Sequence, residues 1–304
     1  MNIKSFYKGI IYTCLASFFW GIPQPLFFNE IKFIPPIEVA FHRGLWSFIL
    51  LFILITIIGR IKDFFLLFKS YKKLLILSIT AILITINWTG FIFSVSIDRV
   101  QDASMGYYIT PMISIALGYF FLKEKITIFK IISFLMMLSS IIFLIVNIKT
   151  FPLLALIIGT SWGVYGLLRK QIHVSSEIGL LYESSFISLI AVPYLIYINY
   201  QGTAFFLNES LKINFFLILT GVVTIFPLFF FNMGIKFIPL GFTGVIFYLV
   251  PTFHFITSIF ILNESLSLPK LISFVIIWIA VVIFIYDIFL ENKKANENNT
   301  QLPS

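Results

Sequence analysis

Apolar residues occupy this chain in long blocks, not in the short alternations of half-buried strands. A helix needs roughly 20 apolar residues to cross the hydrocarbon of a bilayer. Ten blocks qualify: 9–28, 38–58, 74–95, 104–122, 127–147, 152–168, 178–198, 213–234, 241–262 and 270–289. The sixth is the shortest. The connections between blocks are brief, and the one long polar segment is the end of the chain, "ENKKANENNTQLPS". The pattern predicts an all-α polytopic membrane protein of ten transmembrane helices with a polar tail over 291–304. Lys4 and Lys8 precede the first block as they would in a signal peptide. No A-x-A-like site follows, however, and the block runs on through Phe28, so it is read as a retained span.

Composition supports lipid as the solvent. Sixty per cent of the 304 residues are hydrophobic and 11% are charged, whereas a soluble domain is about half apolar and about a quarter charged. In a soluble chain the net charge of +8 would point to nucleic acid. Here the cations follow the topology. With the N-terminus inside, 15 Lys and Arg fall in inner segments and 6 on the outer side, which accounts for all 21. That bias places both termini in the cytoplasm. The expected partners are a lipid bilayer and a small-molecule substrate, not nucleic acid, and a homodimer stays open. Cys14 is the single cysteine, so it forms no internal disulfide and reads as a small core residue.

The chain also repeats itself. "YYITPMISIALGYFFLKEKITIFKIISF" (107–134) aligns without a gap with "FYLVPTFHFITSIFILNESLSLPKLISF" (247–274) at an offset of 140. Pro111 matches Pro251, Glu124 matches Glu264 and Lys130 matches Lys270. The same offset carries Arg43 to Glu183. Near the start of each half two further residues bring "FFWG", ending at Gly21, onto "TSWG", ending at Gly163. The expected units are 6–147 and 152–290. Five spans per unit is an odd number, so the second copy enters the membrane upside down. Inverted repeats of this kind recur among secondary transporters, where two bundles rock about a central site.

Several residues are out of place in lipid. "WGIPQPLFF" puts Pro23 and Pro25 inside the first block; Pro111, Pro227 and Pro251 interrupt the fourth, eighth and ninth. Proline removes a donor and disturbs the preceding turn, and the freed carbonyls need protein or cavity water. These spans are therefore expected to bend at a cavity, or else to be shaped by proline for packing. Arg43, beside His42, lies shallow in the second span. It is either an anion contact or gating charge facing a cavity, or a side chain snorkelling to the outer headgroups. Glu183 sits at similar depth from the opposite face, as a proton carrier or a packing cap, and is not expected to pair with Arg43. Glu38 and Asp102 are further candidates for proton or ion-pair chemistry. Asn87, next to Trp88, is interhelical glue or a substrate contact. Trp20, Tyr107, Tyr108, Trp162, Tyr165 and Tyr248 are candidates for a cavity wall. His254 reads as core, and Glu124 and Glu264 as loop and cap residues. Gly159 and Gly163, four apart, permit close helix packing. No P-loop, G-x-S-x-G, H-E-x-x-H or dinucleotide motif occurs, so no cofactor, metal or enzymatic activity is expected.

"FWGIPQPLFF", "IEVAFHRGLWS", "NWTGFIFSVSIDRVQDASMGYYITPMISIALGYFFLKEKI", "YGLLRKQI" and "GVVTIFPLFFFNMGIKFIPLGFTGVIFYLVPTFHF" resemble the RarD-type branch of the EamA family, within the drug/metabolite transporter superfamily. The likeness runs from about Phe6 to Phe289. It includes the E-x-x-x-H-R-x-x-W-S pattern at Glu38, His42, Arg43, Trp46 and Ser47. The resemblance implies a bacterial inner-membrane carrier with two inverted five-helix halves and a central cavity. It implies substrates such as amino-acid-, nucleobase- or S-adenosylmethionine-like metabolites, or drugs. Phe247, Ser96 and His254 depart from the usual pattern and bear on specificity. The expected function is secondary transport of small metabolites by alternating access. A drug or toxic-metabolite exporter is the rival within transport, and a lipid-modifying membrane enzyme is the rival of another class.

Overall fold

In the computed structural model of the protein, the described residues are 3–96, 100–124, 126–148, 153–261 and 268–300. All regular structure among them is helical. Thirteen α-helices follow in order: α1 (Ile3–Gly21), α2 (Pro23–Asn29), α3 (Pro36–Ile57), α4 (Ile61–Leu66), α5 (Tyr71–Ser96), α6 (Val100–Leu122), α7 (Ile128–Ile148), α8 (Leu153–Gln171), α9 (Ser176–Tyr200), α10 (Leu211–Phe237), α11 (Leu240–Phe247), α12 (Leu249–Phe260) and α13 (Leu268–Thr300). Seven of the described helical runs are long and apolar enough to cross a membrane: Lys4–Asn29, Pro36–Ile57, Tyr71–Phe93, Ile128–Asn147, Ser176–Tyr200, Leu211–Phe237 and Leu271–Glu291. Large apolar side chains such as Ile57, Phe120, Leu189 and Phe260 face outward, as they do when the surroundings are lipid. The chain is a multi-pass membrane protein.

The three remaining expected spans differ for identifiable reasons. The sixth forms α8, whose "GTSWGVYG" centre replaces lipid-facing bulk with small and polar residues. A Cβ on Gly159 would lie 3.0 Å from the Gly106 carbonyl of α6, so α8 buys close approach at the expense of hydropathy. The ninth is divided at Tyr248 into α11 and α12, and its apolar run is short, at Leu240–His254. The fourth contributes Met112–Leu122 to α6 as a short apolar run.

The long helices pack in a definite order. α1 lies against α10, and α5 against α8; α6 lies against α8, and α11 and α12 against α1. α3 packs on α9 across the middle, and α7 on α13 to one side. One apolar cluster fills the space among α1, α2, α3, α5, α8, α9 and α10. A second joins α6, α7, α11 and α13.

The first break answers the question raised by the two prolines. α1 ends at Gly21 and α2 restarts at Pro23, so Pro23 and Pro25 both fall in the first turn of α2, where backbone donors are not needed. The carbonyls freed at the break find side chains on α12. His254 Nε2 donates to Trp20 O at 3.0 Å, and Thr257 Oγ1 donates to Gly21 O at 3.3 Å. His254 is therefore not an inert core histidine: it completes the hydrogen bonding of a broken helix. By contrast α10 runs unbroken through Pro227, and α6 through position 111, so these prolines do not divide their helices. α12 begins two residues before Pro251.

Candidate functional site

The break in the first span delivers side chains to a central cavity. Trp20 comes from the end of α1 and Gln24 from the first turn of α2. Arg43 enters from α3, Asn87, Trp88 and Phe91 from α5, Tyr107 from α6, Trp162 from α8, and Phe247 from the end of α11. The space among them is narrow, about 10 Å³, room for about one water. Phe91 also lines a second space of the same small size, which Lys32 borders.

Arg43 dominates the polar chemistry. It is 1% exposed, so it is not a snorkelling side chain. Nε donates to Thr224 Oγ1 on α10 at 2.9 Å. The guanidinium carbon lies 4.5 Å from the centre of the Trp88 ring and 4.9 Å from that of Phe28, a geometry in which the ring faces attract the cation. Tyr107 lies close enough to interact with it electrostatically. Among the described residues no carboxylate pairs with Arg43.

Aromatic rings close the cavity on one side. Trp20 meets Trp162 edge to face at 5.0 Å, and Tyr107 meets Phe247 at 6.0 Å. Trp162 stacks on Tyr165 at 5.2 Å, beyond which lies a second polar cluster. There Glu183 accepts from Thr80 Oγ1 at 2.6 Å and from Tyr165 OH at 3.3 Å. Arg169 Nη1 stands 3.6 Å from the same carboxylate, and Arg169 Nε donates to Asn232 Oδ1 at 3.0 Å. Asn232 Nδ2 in turn donates to Tyr165 OH at 2.8 Å. Glu183 and Arg169 are both buried.

Below this cluster the ends of α8 and α10 are stapled to each other. Lys170 Nζ donates to the carbonyls of Ile235 and Ile238, and Lys236 Nζ to those of Arg169 and Ile172. Each lysine thus satisfies the orphan carbonyls at the other helix's C-terminus. Arg60 binds Asp63 and Glu177; the hydrogen bond it donates to Asp63 holds its guanidinium above the usual arginine range.

A match in sequence decides the kind of protein this geometry belongs to. The model of the EamA-like transporter family matches residues 7–146 and again residues 150–286. The chain belongs to the EamA-like transporter family. It is 32% identical over 298 residues to "Protein RarD" of Salmonella typhi, covering 97% of this chain and 100% of that one. It is 33% identical to "Uncharacterized transporter YojE" of Bacillus subtilis, covering 92% and 94%. A "Chloramphenicol-sensitive protein RarD" of Pseudomonas aeruginosa is 21% identical over 92% of this chain and 94% of its own. A crystal structure aligns with a TM-score of 0.68 over 93% of this chain and 98% of its own, at 12% identity; the two share a fold. The protein is thus a membrane transporter of the EamA family.

Within this EamA chain the structure gathers Trp20, Arg43, Asn87, Trp88, Tyr107 and Trp162 around one cavity, and separates other expected members. Tyr165 and Glu183 lie behind the Trp162 ring. Tyr248 is buried in the second apolar cluster. His42 accepts from Trp46 Nε1 at 3.1 Å and faces Phe206 at 4.8 Å, outside the cavity. Glu38 accepts the backbone N–H groups of Phe205 and Phe206 at 2.8 and 3.2 Å, which ties the loop after α9 to α3. Pro23 shapes the break and does not line the space. The side chains of Ser96, Asp102, Tyr108 and Pro111, and Glu264 as a whole, lie outside the described residues.

Asn87 joins two helices, the first of its two expected uses. Its Nδ2 donates to Ile158 O at 2.8 Å while the side chain borders the cavity. Glu124 caps α11, accepting from Leu240 N at 2.6 Å and Gly241 N at 3.1 Å. Sequence reasoning missed Gln24, although a polar amide between two prolines was a signal. It also missed Arg169 as the partner of Glu183, because its place near the end of a span filed it with the loop cations.

Proposed function

We propose that this EamA-family protein is a secondary transporter that carries small metabolites by alternating access through the Arg43 cavity. Its ten spans form two inverted five-helix halves, 6–147 and 152–290, followed by the tail 291–304. It sits in a bacterial inner membrane with both termini cytoplasmic. The observation that carries the reading is the meeting of equivalent rings at the cavity. Trp20 and Trp162 correspond in the sequence repeat and touch at 5.0 Å; Tyr107 and Phe247 correspond and touch at 6.0 Å. Equivalent residues of two copies meet only near the axis that relates the copies. The packing exchanges in the same way: α1 on α10 answers to α8 on α5, and α6 on α8 answers to α11 and α12 on α1. The two family matches, 7–146 and 150–286, support the same division.

In this arrangement the lysine staples between α8 and α10 seal the cytoplasmic end, while the Lys32 space leads toward the outside. Rocking one half against the other would break the staples and close the Lys32 approach. Both backbone donors reach Oε1 of Glu38, whose Oε2 is buried without a hydrogen-bond partner among the described residues, while Glu183 is paired with Arg169. Glu38, a rearranged Glu183 cluster and Asp102 are the candidates for proton coupling, with facilitated exchange as the alternative.

An exporter of drugs or toxic metabolites is the second reading, favoured by the aromatic walls and by the chloramphenicol-sensitive relative. Counterflow tests both. Purified protein in liposomes preloaded with unlabelled solute should drive accumulation of the labelled form, and Arg43→Gln should abolish it. If chloramphenicol alone supports counterflow, the exporter reading stands. If no metabolite or drug does, the transport reading fails.

A further inference from the structure

We infer that the Arg43 cavity selects a monoanionic solute: a flat, ring-bearing body with a carboxylate head and no ammonium group. The inference rests on the transport reading only in taking the bound solute to be the cargo.

A guanidinium has five N–H donors. Among the described residues one of those donors on Arg43, Nε, has a hydrogen-bond partner, Thr224. Taking such a charge out of water is costly unless it is paired and hydrogen-bonded. The faces of Trp88 and Phe28 offset part of that cost without using a single N–H. The remaining donors sit at a cavity edge in a planar fork, which matches two carboxylate oxygens. Gln24, 4% exposed, also makes no side-chain hydrogen bond among the described residues. It brings an amide to the same space.

The rest of the wall decides against other charges. Among the described lining residues there is no Asp or Glu, so nothing there neutralises an ammonium or sulfonium group. In this closed state the aromatic rings leave room for about one water, and a planar body enters as their flat faces part around it. The approach carries a second cation, Lys32, on the adjoining space. Two cations in series, with apolar walls between them, raise the local concentration of anions and exclude cations. An S-adenosylmethionine-like cation is disfavoured on the same ground, and a zwitterionic amino acid satisfies only half of its charge.

The test uses purified full-length protein and four probes of one shape: phenylacetate, phenylacetamide, phenethylamine and phenylalanine. Three of the five tryptophans, Trp20, Trp88 and Trp162, line the cavity, so intrinsic fluorescence reads binding directly. Phenylacetate should give a saturable change. Phenylacetamide should bind about tenfold to a hundredfold more weakly, the worth of a charge-assisted hydrogen bond, and phenethylamine should not bind. Arg43→Gln should erase the difference between phenylacetate and phenylacetamide, and Arg43→Lys should keep part of it. If Arg43→Gln does not fold, the wild-type series and Arg43→Lys decide.

Equal or tighter binding of the amide or the amine overturns the inference, and so does the lack of a saturable response to phenylacetate. Counterflow in liposomes then separates the two claims. Phenylacetate that binds while neither it nor any metabolite or drug exchanges sinks the transport reading and leaves the site. Phenethylamine that exchanges while phenylacetate does not leaves transport and sinks the site.

Discussion

Arg43 and Glu183 occupy equivalent positions of the two repeats, and their surroundings show what a buried charge can be used for. Each reaches a threonine hydroxyl on the helix packed beside it: Arg43 to Thr224 on α10, and Glu183 to Thr80 on α5. There the likeness ends. Glu183 is held by Thr80, Tyr165 and Arg169, and Asn232 closes the ring. Arg43 has one hydrogen bond, two aromatic faces and a cavity. One charge is settled within the protein and the other is left facing open space. The two positions lie 140 residues apart in the matching registers of the sequence, and the difference in neighbours ties one charge down and leaves the other with donors to spare.

The comparison can be broken most directly at the settled charge. Glu183→Ala strands the Arg169 guanidinium in the interior. Breaking a buried pair in this way costs about 3–5 kcal/mol. The melting temperature in detergent should fall sharply, and the double variant Glu183→Ala/Arg169→Met should recover most of the loss. A single variant as stable as wild type would mean that the cluster is not a unit.

A smaller loss is expected at the helix break that brings Trp20 and Gln24 to the cavity. His254→Phe leaves the Trp20 carbonyl without its partner, worth about 1–3 kcal/mol for a buried acceptor. Thermal unfolding should show the loss, and the tryptophan fluorescence of Trp20 should shift with it. An unchanged melting temperature would mean that water serves the carbonyl equally well.

The smallest effect on stability should come at the open charge. Arg43→Met removes a buried cation that has no carboxylate partner, and a hydrophobic replacement of that kind is neutral or stabilising. The melting temperature should hold or rise while the ligand response and counterflow disappear. If Arg43→Met destabilises as much as Glu183→Ala, the two charges do the same work and the contrast between them is wrong.

Much of the frame was legible because lipid imposes long apolar runs, and the runs are visible residue by residue. Arg43 stood out as a charge without company in such a run, and the 140-residue offset linked it to Glu183. What was not legible is what depends on distant partners. Arg169 looked like one more cytoplasmic cation; only folding brings it from the end of α8 to Glu183, further along α9. Nothing local reveals that Phe205 and Phe206 donate to Glu38 Oε1 and tie the loop after α9 to α3. Proline gave an ambiguous signal. Pro23 and Pro25 start a new helix because α12 supplies donors for the freed carbonyls, whereas Pro227 sits inside unbroken α10. The helix break and the unbroken helix have the same local sequence cue and differ in their neighbours.

The central claim is that one cavity around Arg43 opens to either side of the membrane in turn. Thiol accessibility tests it most directly. Gln24→Cys in a Cys14→Ser background should be labelled by a membrane-impermeant thiol reagent in right-side-out vesicles and in inverted vesicles. Saturating phenylacetate should slow the reaction in both. Labelling from one face alone, under every solute condition, would contradict alternating access at this cavity.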